Sequence, residues 1–136
     1  MSNEQIRLVK NSWRYLQGID PYLLGDVFYS FLFLEEPSLE RLFKSSIIEQ
    51  QKKLIDMLSY IVMRLDNLDT LTKEIQELAI RHEEYGTKPK HYESVGKALL
   101  WTLRKGLGKD WTYDTEEAWK SCYDIISNTM ISATKN

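Results

Sequence analysis

A single cysteine, Cys122, leaves this 136-residue chain without an internal disulfide, as expected for a reducing cytosol. It falls in a helical pattern and reads as a packing residue, not a nucleophile. Histidine is nearly as scarce, at two residues, and neither an HExxH nor a CxxC pattern occurs. A zinc or iron centre built wholly of side chains takes three or four ligands, which this inventory does not supply. There is no nucleophile elbow and no Gly-rich phosphate loop, since Gly96 stands alone. No apolar run approaches the roughly 20 residues of a membrane span, and the N-terminus MSNEQIRLVK has no hydrophobic signal core. A formal net charge of −2, without charge blocks, gives no reason to expect nucleic acid or anionic lipid as partner. No repeat is visible, and no stretch alternates with the period of a strand.

Helical periodicity is what the chain does have, nearly end to end. With 43% apolar and 28% charged residues it is composed like a soluble globule, and its length suits one domain over residues 1–136. Ser2 and Gln5 form a capping box that opens a first helix carrying Ile6, Val9, Trp13 and Leu16 to the core, with Gly18 ending it. Asp20 followed by Pro21 caps a second helix, about 21–34, rich in aromatics. Gly25 inside it costs roughly 1 kcal/mol against alanine, which predicts a close crossing with another helix. Pro37 starts a short turn of helix reaching Leu42 and Phe43, and a loop at 44–48 leads on. A long helix at about 48–65 carries the stripe Leu54, Met57, Leu58, Ile61 and Leu65, with Gln50 one turn before Leu54. Residues 66–69 precede the helix that bears His82. Beyond a polar corner at 85–90, a helix at about 91–105 turns Val95, Leu99, Leu100 and Leu103 inward, with Gly106 just past its end. The last helix, about 112–133, presents Trp119, Tyr123, Ile126, Met130 and Ala133. Six long helices and one short one make an all-α fold.

The stretch 75–96 holds the chemistry. Ile75, Leu78, Ala79 and His82 fall at i, i+3, i+4 and i+7, which puts the histidine on the apolar stripe of its helix. Lys73, Glu74, Glu77, Arg81 and Glu84 take the rest of the circumference. An imidazole held in an apolar groove can bind metal through Nε2 while Nδ1–H is kept by a neighbouring acceptor. A core histidine bonded to backbone would show the same pattern. Acid–base hydrolysis would want a carboxylate or histidine on an inward face, and the inward faces above carry only His82. The inventory of one inward histidine, many aromatics and leucines, and the polar Tyr29 and Gln50 suits a flat apolar cofactor bound through its metal: haem.

The order of these residues resembles the globin family, in particular single-domain bacterial haemoglobins and the globin part of flavohaemoglobins. The resemblance runs through Phe28-Tyr29, Pro37 with Phe43 in the run LERLF, Glu49-Gln50 with Lys53-Leu54, Leu78 with Arg81-His82, Gly86, His91-Tyr92, Val95-Gly96, Leu99-Leu100, Trp119 and Tyr123. It implies a globin fold around a noncovalently held haem b, since no CxxCH is present. His82 would be the proximal iron ligand, its Nδ1–H aimed at the Leu78 carbonyl. Phe43 would stack on the haem, with Leu54, Leu58, Val95, Leu99 and Leu103 as walls and the corner residue His91 near a propionate. Tyr29 and Gln50 would face a bound diatomic gas, O2 and also NO or CO, from the distal side. Gln51, about 100° off that stripe, should face out or toward Gly25. No histidine lies on the distal helix, so self-ligation by two histidines is not implied.

Flavohaemoglobins and their close relatives also set a tyrosine and a glutamate against the proximal histidine. Tyr92 matches the tyrosine, but Thr134 stands at the glutamate position, which puts peroxidase-like activation in doubt. The chain ends at Asn136 without a flavin or NAD domain, so the expected reductant is a separate reductase. The expected function is tight, slowly reversed oxygen binding for scavenging, storage or delivery in the cytoplasm. A nitric oxide dioxygenase working with that reductase, a haem-based gas sensor, and a haem-free interaction module of the same fold are the alternatives.

Overall fold

Gly25, in the middle of the second helix, lies so close to the third that an added Cβ would sit 2.5 Å from the Gln51 Cβ and 2.8 Å from its Cα. The predicted close crossing is therefore present, and Gln51 is the residue on the other side of it. The computed structural model describes residues 1–43 and 46–134, so Lys44 and Ser45 of the predicted loop, and the terminal Asn136, lie outside the described residues.

Helices α1 (Asn3–Leu16), α2 (Pro21–Glu35), α3 (Ile47–Met63), α4 (Thr72–Glu84), α5 (His91–Leu107) and α6 (Tyr113–Ala133) make up the bundle. The main packings are α2 on α3 and α5, and α6 on α1 and α4. The fold is all-α, with no strand among the described residues. Its caps follow the sequence. The Ser2 hydroxyl accepts from Gln5 N at 3.0 Å, while the Gln5 side chain accepts from Ser2 N at 3.1 Å. The Asp20 carboxylate accepts from Tyr22 N at 2.9 Å, just ahead of the helix that Pro21 opens.

Three expectations are corrected. Among the described residues three short 3-10 segments accompany the six long helices, the first of them the short helix expected at Pro37: Pro37–Leu42, Leu65–Leu71 and Gly108–Asp110. Leu65 thus belongs to the second of these and not to α3. Gly106 lies within α5, and the helix ends at Leu107, where Gly108 takes the positive φ of 55° that stops it. The α3 stripe is also rotated from the one expected. Gln51, Ile55, Ile61 and Val62 are the buried residues, whereas Leu54, Met57 and Leu58 are half-buried. The cause is the crossing. With no side chain at Gly25, α2 approaches α3 over Gln51, and that contact decides which face of α3 is covered.

Two tryptophans sit where α1 meets α3 and α6. Their rings lie 5.9 Å apart, Trp13 Nε1–H donates to Ser59 Oγ at 3.0 Å, and Trp119 Nε1–H donates to Ser12 Oγ at 2.9 Å. Each polar tip is satisfied, so the burial of both rings carries no desolvation penalty.

The corner between α4 and α5 turns on Gly86, whose φ of 101° is open to glycine alone at ordinary cost. Thr87 N–H then donates back to the His82 carbonyl at 3.0 Å. His91, at the start of α5, is buried with 8% of its surface exposed, deeper than His82, against the expectation that only His82 faces inward. Its Nδ1 accepts from Lys88 N at 3.0 Å and caps the corner, which is why the structure encloses it.

Two stability predictions arise here. Gly25→Ala gains about 1 kcal/mol of helix propensity but forces contact with backbone, and overpacking of about 1–3 kcal/mol should win. Urea denaturation should show a net loss; a gain would mean that α2 and α3 can part freely. His91 is held below its ordinary pKa by burial first, then by Lys90, with Glu36 acting the other way and Lys88 adding to the lowering. A depressed histidine contributes stability above its unfolded value, about 6.5, and loses it as pH falls through the folded value. His91→Gln keeps an acceptor for Lys88 N–H but does not titrate. Between pH of about 7.5 and about 5 its urea midpoint should fall less than that of wild type, and parallel curves would contradict the cap.

Candidate functional site

Helix α4 is short and packs on α6 through the stripe that ends in His82, while Ile80 faces out. Ile75 and Ala79 are buried there, and Leu78 and His82 are half-buried. His82 Nδ1 lies 2.8 Å from the Leu78 carbonyl one turn back. A carbonyl can only accept, so Nδ1 carries the proton and Nε2 is left with its lone pair free. Burial pushes the His82 pKa down, the Leu78 carbonyl opposes this, and Arg81 adds to the lowering. The net direction keeps the ring neutral, which is the form that binds metal.

No group of three or more His, Cys, Asp or Glu side chains fit to hold a metal ion occurs among the described residues. Any metal meeting His82 must therefore bring its other ligands with it.

Across from α4, α2 and the segment after it supply an aromatic cluster. The Tyr29 ring meets Phe28 edge-on at 4.9 Å, Phe43 edge-on at 5.2 Å and Phe33 at 5.7 Å, and Phe33 meets Phe43 at 5.4 Å. Tyr29 is 7% exposed, and burial raises its hydroxyl pKa to about 12, so it remains a donor at any physiological pH. That hydroxyl makes no hydrogen bond with protein among the described residues, yet none of their fully buried side-chain polar atoms lacks a partner. The hydroxyl oxygen is therefore not fully enclosed by protein. The Gln50 side chain is half-buried on α3, and Leu54 and Leu58 follow it at one-turn spacing, also half-buried.

On the α5 side Leu99 and Leu103 are buried at 5% and 1% exposure, while Val95 and Tyr92 are half-buried. The Tyr92 carbonyl accepts from the Tyr123 hydroxyl at 2.6 Å. Gly96 makes room for that tyrosine, because a Cβ there would lie 2.8 Å from the Tyr123 ring. The tie between α5 and α6 was not foreseen from sequence; a glycine four residues after Tyr92 was its one signal. Thr134 spends its hydroxyl on the carbonyls of its own helix, Ile131 at 3.2 Å and Met130 at 3.4 Å. The surface grooves at Arg7, Lys10 and Arg14, and at Tyr22, Ile48 and Lys52, involve neither His82 nor Tyr29.

The half-buried Leu54, Leu58 and Val95, the neutral His82 and the Tyr29 hydroxyl fit a flat apolar group carrying its own metal. Their donor set does not suit an ion held by side chains alone.

Comparison with known proteins agrees with this arrangement. The globin family profile matches residues 26–130. A flavohaemoprotein of Vibrio cholerae is 28% identical over 134 residues, which is 96% of this chain and 34% of that protein. The chain thus spans about a third of the length of the flavohaemoproteins it matches. A bacterial globin from Campylobacter jejuni superposes with a TM-score of 0.84 at 27% identity, covering 98% of this chain and 96% of the other. An engineered carbene transferase, made from a nitric oxide dioxygenase candidate of Rhodothermus marinus, gives a TM-score of 0.86 at 26% identity over 97% and 92% of the two chains. With its fold, its lone metal-ready histidine and the profile match over most of its length, this chain belongs to the globin family.

Proposed function

We propose that this chain binds haem b through His82 and uses the site to hold oxygen tightly and release it slowly, for scavenging, storage or delivery. The observation that carries the reading is the His82 ring, proton on Nδ1 toward the Leu78 carbonyl and Nε2 free, in a chain whose described residues offer no other metal ligand group. Haem, when bound, supplies an iron centre able to take a diatomic gas on its open side. Phe43, Leu54, Leu58, Val95, Leu99 and Leu103 would surround it with apolar surface, and Tyr92 would stand beside it. His91 has committed Nδ1 to Lys88 N–H, so only its Nε2–H could reach a propionate. Tyr29 would donate its O–H to the gas from α2, and Gln50 an N–H from α3. Oxygen draws electron density and accepts such bonds strongly, while carbon monoxide gains less. With no histidine on α3, an open, five-coordinate ferrous site is expected.

A second reading is a nitric oxide dioxygenase restored by a separate reductase. It is favoured by the likeness to the Rhodothermus marinus protein and to flavohaemoproteins. Thr134 weakens the case for peroxidase-like chemistry, since its hydroxyl is bonded within α6 and brings no carboxylate to Tyr92. A haem-based gas sensor would use the same residues.

Stopped-flow oxygen release tests the first reading. Hydrogen bonds to charged acceptors are worth about 1.5–3 kcal/mol, and 1.4 kcal/mol is about tenfold. Tyr29→Phe should therefore speed release about tenfold or more, and the Tyr29→Phe, Gln50→Leu double variant further, with carbon monoxide release changed much less. A double variant no faster than wild type would make the distal pair structural. Rapid nitric oxide consumption sustained by a cellular reductase would instead favour the enzyme.

A further inference from the structure

Helix α2 is mostly apolar, with Leu23, Leu24, Val27, Phe28, Phe31, Leu32 and Leu34, and Asp26 and Ser30 are the exposed polar residues of its middle turns. So apolar a helix is normally packed on most sides, and α2 is packed by α3, α5 and the Pro37–Leu42 segment. Its remaining face is open. Leu23 is 56% exposed and Leu34 78% exposed, and Val27 and Phe31 lie between them at one-turn spacing. The face continues onto α5, where Trp101, 38% exposed, stacks on Phe31 at 5.0 Å between centroids, and Lys105 Nζ lies 4.4 Å above the Trp101 ring. Exposed apolar side chains gathered on two adjoining helices and flanked by charge suit a docking site.

The charges at its rim say what docks. The charged residues of α2 are Asp26 and Glu35, both acidic and both exposed. The charged residues one turn from Trp101 on α5 are Lys97, Arg104 and Lys105, all basic and all exposed. Lys97 is paired with Glu93 at 3.9 Å, whereas among the described residues Asp26, Glu35, Arg104 and Lys105 are in no ion pair. The face therefore presents unpaired acids on one helix and unpaired bases on the neighbouring one, beside the exposed apolar side chains. In a two-fold interface each contact occurs twice, and residues of one helix meet those of the other across the axis. That is the arrangement in which this face complements itself. We infer that the α2–α5 face is a homodimer interface, in which the acids of α2 meet the bases of α5 of a second copy around a core of Phe31, Leu34 and Trp101. It is independent of what the haem-type site on the other side of α2 binds.

Sedimentation velocity from about 1 µM to about 1 mM should show wild type passing from monomer to dimer, with the dimer weakened by salt. Leu34→Glu places a charge in the apolar core and should raise the dimer Kd about tenfold or more. Leu34 is so exposed that the fold should not suffer, and far-UV circular dichroism would check this. A sharper test reverses the rim. The Asp26→Lys, Glu35→Lys variant has bases on both helices, and the Arg104→Glu, Lys105→Glu variant has acids on both, so each alone should stay monomeric. Mixed together they should form a heterodimer, because each then meets its complement. Wild type that stays monomeric throughout, a dimer indifferent to Leu34→Glu, or charge variants that fail to pair on mixing would each overturn the inference. So would a monomer whose face binds lipid vesicles, which would assign the strip to a membrane surface.

Discussion

The crossing of α2 over α3 at Gly25 is the constraint from which the rest follows. Helix phase is set by the tightest contact a helix makes, and here backbone meets side chain where no Cβ intervenes. With Gln51 pinned against Gly25, α3 has no freedom to roll. Ile55 and Val62 go to the core, while Gln50, Leu54 and Leu58 stay half-buried on the adjoining face. Tyr29, one turn beyond Gly25, is fixed by the same contact and by the aromatic rings around it. A single glycine thus determines which side chains of α3 line the interior and which stay half-buried.

The histidine side is built by different means. His82 is held by a carbonyl of its own helix, and the backbone beyond it turns back at Gly86 to bond its carbonyl. His91 closes that corner from within α5, and the Tyr123–Tyr92 bond fastens α5 to α6. Apart from the Tyr123–Tyr92 bond these are short-range bonds along a corner, and all are made within the protein. On the proposed reading the proximal side is therefore preorganised, and its imidazole, bonded only to a neutral carbonyl, donates electrons no more strongly than an ordinary histidine.

Much of this was legible in the sequence. The Ser2–Gln5 capping box, the Asp20-Pro21 start and the i, i+3, i+4, i+7 stripe ending in His82 are local patterns with local causes, and the structure keeps them. What was not legible depends on partners distant in the chain. The α3 stripe read from leucine and methionine spacing is apolar, but periodicity cannot say whether such a stripe meets another helix or a cleft. By its spacing Gln51 faces either out or toward Gly25, and its position opposite Gly25 is what buries it. His91 looked like a corner residue because it follows Pro89. Its burial comes from accepting the Lys88 N–H, a three-residue contact that no apolar pattern signals. The 3-10 segment Leu65–Leu71 likewise escaped notice, being kinked at Asn67 with φ −133° and too short for periodicity to register.

With two histidines in the chain, one experiment reads the site directly. The protein would be labelled with 15N at histidine, loaded with ferric haem and cyanide, and its imidazole nitrogens recorded by NMR. The account predicts one strongly hyperfine-shifted ring, assigned to His82 by its loss in His82→Ala, and one ordinary ring with an unprotonated Nδ1, assigned to His91. Two ordinary rings, or a shifted ring that survives in His82→Ala, would contradict it.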